Sequence, residues 1–180
     1  GRMFMACAKL KDASIAALAN QSFAYVTALE NAFYGCTTLT AIDLHSAVFG
    51  NVITCFTTFG GCTNLESIDL SAATFASVDD FRQNNYPLFM NDTALTTIVT
   101  TQQGTAISPT SIPNNGVMNL RTNPLTYASM LNVANWVRDF SGQSAHTCTF
   151  KASAWNALSS AEQTNIDNIL SGKNWNRAIA

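Results

Sequence analysis

Phe33-Tyr-Gly-Cys36-Thr-Thr-Leu39-Thr-Ala-Ile42-Asp-Leu44 is followed, 26 residues on, by Phe59-Gly-Gly-Cys62-Thr-Asn-Leu65-Glu-Ser-Ile68-Asp-Leu70, so the chain states nearly the same pattern twice. Carried forward, the pattern reaches Phe89-Met-Asn-Asp92-Thr-Ala-Leu95-Thr-Thr-Ile98. Carried backward, it reaches Phe4-Met-Ala-Cys7-Ala-Lys-Leu10-Lys-Asp-Ala13-Ser-Ile15. The spacings of 29, 26 and 30 residues between the leading phenylalanines lie in the range of stacked repeat architectures.

Within a unit, Leu-x-x-Ile-x-Leu ends in apolar/polar alternation and predicts a short strand whose Ile and Leu face a core. Gly35 and Gly61 precede it where a tight turn suits a residue without Cβ. The segments between strands, Ala47 to Thr58 and Ala72 to Phe81, have mixed periodicity and fit a helical turn, a 3₁₀ piece or extended chain equally. Stacking the units sets equivalent strands side by side about 4.8 Å apart in a parallel sheet. A fifth strand, Val117 to Leu120, is expected after the turn signal Asn115-Gly116 and an irregular Thr/Pro/Asn-rich connection from Thr100 to Asn115.

From Asn123 the pattern changes to helix, strand, helix. Pro124 or Thr126 opens the first helix, with Leu125, Ala128, Leu131, Ala134, Val137 and Phe140 as its expected apolar stripe. His146-Thr-Cys148-Thr-Phe150 alternates as a half-buried strand. Ser159 and Ser160, followed by Glu162 and Gln163, form a capping-box signature for a helix reaching Gly172. The three tryptophans, Trp136, Trp155 and Trp175, all fall in this region, as expected of a plug over the last unit.

Composition narrows the partners. The chain has 180 residues, 47% of them apolar and 11% charged, where about 25% charged is usual; hydroxyls and amides therefore make the surface. Residues 12–120 hold eight acids and one base, and 121–180 hold five bases and three acids. No cluster of Lys and Arg marks a nucleic-acid surface, and no apolar run of about 18 residues suits a membrane span. Five cysteines with no CxxC pair argue for buried thiols rather than a disulfide frame or zinc site. Gly1-Arg2-Met3 reads as a cloning remnant or an internal cut, so the missing signal peptide carries little information.

AFYGCTTLTAIDL and FGGCTNLESIDL resemble the Ala-Phe-x-Gly-Cys-x-x-Leu-x-x-Ile-x-Leu unit of BspA-like leucine-rich repeat proteins, found on bacterial surfaces, Bacteroides and its gut and oral relatives included, and in some protists. The match covers Phe33 to Leu70; Ala6 stands for Gly in the first unit and Asn91-Asp92 for Gly-Cys in the last. The resemblance implies an α/β fold, a leucine-rich-repeat solenoid forming a right-handed β/α superhelix of about four to five repeats over residues 1–122. Residues 123–180 would be its C-terminal cap; LSSAEQ and KNW are similar to segments that close such arrays. It implies a secreted or cell-surface adhesion module without catalysis or cofactor, binding a host protein or a glycan through the concave sheet face. The alternative is a structural spacer or end piece of a larger surface or phage-fibre protein with no ligand of its own. A glycan-active enzyme is the third reading.

By register the outward row holds Asp12 and Ser14; Ala41, Asp43 and His45; Ser67, Asp69 and Ser71; Thr97, Val99 and Thr101; then Asn119 and Arg121. The candidate ligand-binding residues among them are Asp12, Ala41, Asp43, His45, Ser67, Asp69, Ser71, Thr97 and Asn119. Asp43 and Asp69 fall on neighbouring strands, but glycoside hydrolysis needs two carboxyls set about 5.5 Å or 6.5–9.5 Å apart in a cleft holding sugar, and an open sheet supplies none. Cys7, Cys36 and Cys62 share one repeat position and read as a packed column rather than a metal site. His146 and Cys148 read as core residues of the cap, and no metal ligands are assigned.

Overall fold

The computed structural model describes residues 2–12, 16–18, 22–23, 25–49, 51–71, 87–100 and 117–180. In chain order its elements are β1 (Ala41–Asp43), β2 (Ser67–Asp69), β3 (Thr97–Val99), β4 (Val117–Leu120), α1 (Tyr127–Trp136), β5 (His146–Phe150), α2 (Ala152–Asn156), α3 (Ser160–Gly172) and β6 (Trp175–Ile179). They make two three-stranded parallel sheets, β1-β2-β3 and β4-β5-β6.

The repeat pattern builds the first sheet in register. Ile42, Ile68 and Ile98 pair across β1, β2 and β3, flanked by Ala41↔Ser67↔Thr97 and Asp43↔Asp69↔Val99. The isoleucines are buried together with Leu39, Leu44, Leu65, Leu70 and Leu95. Ahead of the strands, Phe4, Phe33, Phe59 and Phe89 form one stacked column with centroids 5.3, 5.5 and 5.7 Å apart. Each such aromatic pair contributes about 0.5–1.5 kcal/mol beyond its buried area. Backbone bonds tie the same turns together: Phe4 N–H donates to Ala32 O, Phe33 N–H to Thr58 O, and Phe59 N–H to Leu88 O.

The turn after each phenylalanine needs a left-handed residue. Gly35 and Gly61 supply it at φ +72° and +75°, and Ala6 (57°) and Asn91 (64°) occupy the same place in the outer units. A Cβ costs about 1–2 kcal/mol in that region, with Asn tolerated better than Ala. The outer units keep the turn despite losing its glycine.

The expected solenoid is not what forms; the mixed α/β class stands. The strands fall in two separate sheets, and Val117–Leu120 joins the second rather than extending the first. The reason lies at the edge of β3. Ile98 N–H donates to Ser129 Oγ (3.0 Å), Asn132 Nδ2 donates to Ile98 O (2.8 Å), and Thr126 N–H donates to Thr96 O (3.0 Å). Side chains and cap of α1 thus take the hydrogen-bonding groups that a fourth strand would use. Nor does a helix fill the described part of 47–58; the chain there is turn and extended backbone, bridged at Ser22↔Val48 and Ala28↔Thr54. Among the described residues of the first unit no strand forms. The expected segment 72–81, the connection 101–115 and its Asn115-Gly116 turn lie outside the described residues.

In the C-terminal region Thr126 caps α1, its Oγ1 accepting from Ser129 N. The expected apolar stripe holds in part: Leu125, Ala134, Val137 and Phe140 are buried, but Ala128 is exposed and Leu131 half-buried, and α1 buries Met130, Val133 and Trp136 instead. Positions spaced strictly by three slip about 60° per step around a 3.6-residue helix, so Ala128 and Leu131 turn off the core face that Ala134 meets. The capping box forms as expected, with Ser159 Oγ accepting from Glu162 N and Glu162 Oε2 from Ser159 N. The helix-strand-helix expected from the sequence ends at Gly172, whereas Trp175–Ile179 adds the strand β6, parallel to β5. Lys173 locks it against α1: its Nζ donates to the carbonyls of Ala134 (2.9 Å), Asn135 and Val137 (2.9 Å).

Candidate functional site

On β1, β2 and β3 the residues flanking each buried Ile point to the opposite face, which gives the row Ala41 and Asp43, Ser67 and Asp69, Thr97 and Val99. Asp43 is exposed and the others are half-buried. His45 and Ser71 sit just past the ends of β1 and β2. Five of the nine candidate residues, Ala41, Asp43, Ser67, Asp69 and Thr97, are therefore brought together, with His45 and Ser71 beside them.

One candidate, Asn119, is not, and Asp12 meets the row at the β1 end. Asp12 is held at the start of β1, where Oδ1 accepts from Thr40 N–H (2.9 Å) and Oδ2 from Thr40 Oγ1 (2.6 Å). Slight burial pushes its pKa up, but the Thr40 hydroxyl and the Thr40 and Ala41 amides outweigh that and hold it low. Asn119 is buried on β4 in the second sheet, paired with Thr149. Its row ends where α1 takes the edge of β3. Ser14 and Thr101 lie outside the described residues.

The two row carboxylates already have a task. Asp69 Oδ1 accepts from Ser71 N–H (2.8 Å), and Asp43 Oδ1 accepts from His45 N–H (3.1 Å). Asn119 does the same with Arg121 N–H (3.2 Å). Each is a turn-forming side chain bonded two residues ahead, the local device Asp and Asn favour. His45 Nδ1 also lies 2.7 Å from Asp43 Oδ1; an ionised carboxylate only accepts, so Nδ1 carries the proton. The His45 ring beside it holds the Asp43 carboxyl below the usual range. The row can thus accept hydrogen bonds from hydroxyl, amide or ammonium groups, on carboxylates fixed by their own turns.

The second sheet buries the other flagged pair. His146 stacks on Phe140 at 3.8 Å with Trp175 at 5.2 Å, its Nδ1 lies 2.9 Å from Ser144 O, and burial lowers its pKa. Cys148 is fully buried and its thiol is pushed up by burial. Both are core residues, in line with the sequence reading. The five cysteines are unbridged, and among the described residues no three His, Cys, Asp or Glu side chains cluster to hold a metal ion. Among the same residues no helix is long and apolar enough to cross a membrane.

Sequence reasoning missed two features. One is an apolar cavity of about 270 Å³ at the N-terminal end of the stack, between the columns of Phe4 with Phe33 and Phe23 with Phe49, bordered by Met3, Leu18 and Leu44; no sequence signal announces it. The other is Asp92, whose carboxyl is buried where the neighbouring units carry Cys. That signal was present in the aligned repeats as an acid at an apolar position. Comparisons with protein-family models, with curated proteins and with solved structures return no match.

Proposed function

We propose that the chain is a non-catalytic extracellular or cell-surface interaction module that meets a host protein or a glycan through the row Ala41, Asp43, Ser67, Asp69 and Thr97. The resemblance of Phe33 to Leu70 to BspA-like units suggests the setting. The observation that carries the reading is the in-register row on the outer face of a sheet whose other face is buried, with the short polar side chains of Asp43, Ser67, Asp69 and Thr97 in it. Such a row presents repeated acceptors at fixed spacing without a cleft, which suits recognition of an extended ligand more than bond-breaking.

The test is an amide NMR titration of the isotopically labelled chain with pools of host-type oligosaccharides and extracellular-matrix fragments. Binding through the row moves resonances of Ala41–His45, Ser67–Ser71 and Thr97–Val99 together and leaves the β4-β5-β6 sheet in place. Shifts centred elsewhere reject the row, and cleavage of a glycan in the pool rejects the non-catalytic reading.

A second reading is a structural end piece with no ligand. It is favoured by the turn bonds that occupy Oδ1 of Asp43, Asp69 and Asn119, since the same residue types serve strand termination alone. Asp→Asn changes separate the two, because they keep the turn acceptor and remove the charge.

A further inference from the structure

One side chain per unit follows the left-handed turn residue: Cys7, Cys36, Cys62 and Asp92, with Asn123 continuing the column. Three of them donate to the carbonyl of the preceding unit's phenylalanine: Cys36 Sγ to Phe4 O (3.0 Å), Cys62 Sγ to Phe33 O (3.1 Å), and Asn123 Nδ2 to Phe89 O (3.1 Å). The pattern leaves Phe59 O for Asp92. A carboxylate has no hydrogen to give, whereas a carboxylic acid has one. Asp92 is fully buried; its Oδ1 accepts from Cys62 N–H (2.8 Å), and its Oδ2 has no hydrogen-bond partner.

Asp92 also sits at a seam. On one side is the unit of Cys62. On the other the C-terminal segment begins, with Asn123 Nδ2 donating to Asp92 O (3.0 Å) and Thr122 Oγ1 accepting from Asn91 N–H (3.2 Å). The titratable group facing it from the Cys62 unit is that thiol, which burial and the nearby acid push upward. From the C-terminal segment it meets Asn123 and Thr122, and from its own turn Phe89, all uncharged. A negative charge here is buried without a countercharge, and such a site favours the neutral acid.

We infer that Asp92 is a proton-operated latch: its neutral carboxyl holds the unit of Cys62 to the turn on which the C-terminal region is seated, and loss of the proton loosens that seam. Burial raises the carboxyl to about 8, against which the Cys62 and Gly61 amides pull only partly. The folded value lies above the unfolded one, so the contribution is complete near pH 4. It declines as the unfolded chain ionises and levels off once the pH passes the folded value.

The test is thermal unfolding of the full chain between pH 5 and 8, for the wild type, Asp92→Asn and Asp92→Cys, with ¹³C NMR titration of the Asp92 carboxyl. The latch predicts a Tm lower by about 10 °C at pH 8 than at pH 5 in the wild type, a slope largely lost in both variants, and a carboxyl midpoint near 8. Protection of the Gly61 amide, bonded to Met90 O across that seam, falls with pH in the wild type only. A carboxyl midpoint near the ordinary carboxylate value of about 4 overturns the inference, and so does an undiminished slope in either folded variant. Failure of both neutral variants to fold also overturns it, since each supplies an uncharged donor to the same column.

Discussion

Replacing Lys173 by Met keeps the length of the side chain and deletes its ammonium. In the folded chain Nζ donates to three carbonyls at the C-terminal end of α1, those of Ala134, Asn135 and Val137. A cation there answers both the orphan carbonyls and the negative end of the helix dipole. Hydrogen bonds from a charged donor are worth about 1.5–3 kcal/mol each when measured by truncation. The three share one donor and do not add, and burial of the ammonium, which lowers its pKa, offsets part of the gain. The net loss is then about 3 kcal/mol, or a Tm lower by roughly 6–12 °C for a chain of this size. Because α1 in turn covers β3, the amide of Ile98, bonded to Ser129 Oγ, exchanges faster in the variant. Calorimetry and hydrogen exchange read both effects. A Tm drop under about 2 °C, the shift of less than one kcal/mol, with Ile98 protection unchanged, refutes the reasoning that Lys173 ties the C-terminal strand to the helix that seals the sheet.

Ala6→Gly relieves a left-handed alanine at φ 57° and raises stability by about 0.5–1 kcal/mol, read as a higher Tm; no gain, or a loss, contradicts the strain assigned to that turn. Asn132→Ala removes the donor to Ile98 O and the α1 side chain that covers β3's edge, costing about 1–2 kcal/mol and promoting self-association, measured by denaturant unfolding and light scattering. Asp12 has a depressed pKa in the fold, so its contribution is present above pH 4 and is lost as the pH falls through the folded value. Exchange at the Thr40 amide, bonded to Asp12 Oδ1, therefore loses protection in acid in the wild type and shows no such step in Asp12→Asn.

The repeat core was legible because it is built from identity at fixed spacing: Phe33 with Phe59, Leu39 with Leu65, and Ile42 with Ile68 each mark an equivalent position, and the parallel register follows. Where the repeat ended was not legible. Val117-Met-Asn-Leu120 reads as one more strand, and only the side chains of Ser129 and Asn132, 31 and 34 residues beyond Ile98, decide that the sheet stops at β3. Trp175–Ile179 was missed because Trp-Asn-Arg-Ala-Ile is a weak alternation beside a helix end, and its pairing with His146–Phe150 is a long-range choice. Of the candidate row, Asp43 and Asp69 were placed correctly as cross-strand neighbours, while their bonds to His45 and Ser71 two residues on come from turn chemistry that the repeat alignment did not weigh. Asn119 was counted in the row because Val117–Leu120 reads as a fifth strand of the same sheet, whereas β4 lies in the other one.

The proposed binding by the row on β1, β2 and β3 rests on its charge and hydrogen-bond acceptors. Its most direct test is an array of glycans and extracellular-matrix proteins probed with the wild type and with the double variant Asp43→Asn/Asp69→Asn, whose amide oxygens preserve the turns. The account predicts a saturable wild-type signal that weakens about tenfold or more in the double variant, equivalent to about 1.4 kcal/mol, while Tm stays unchanged. Equal binding by both proteins contradicts it.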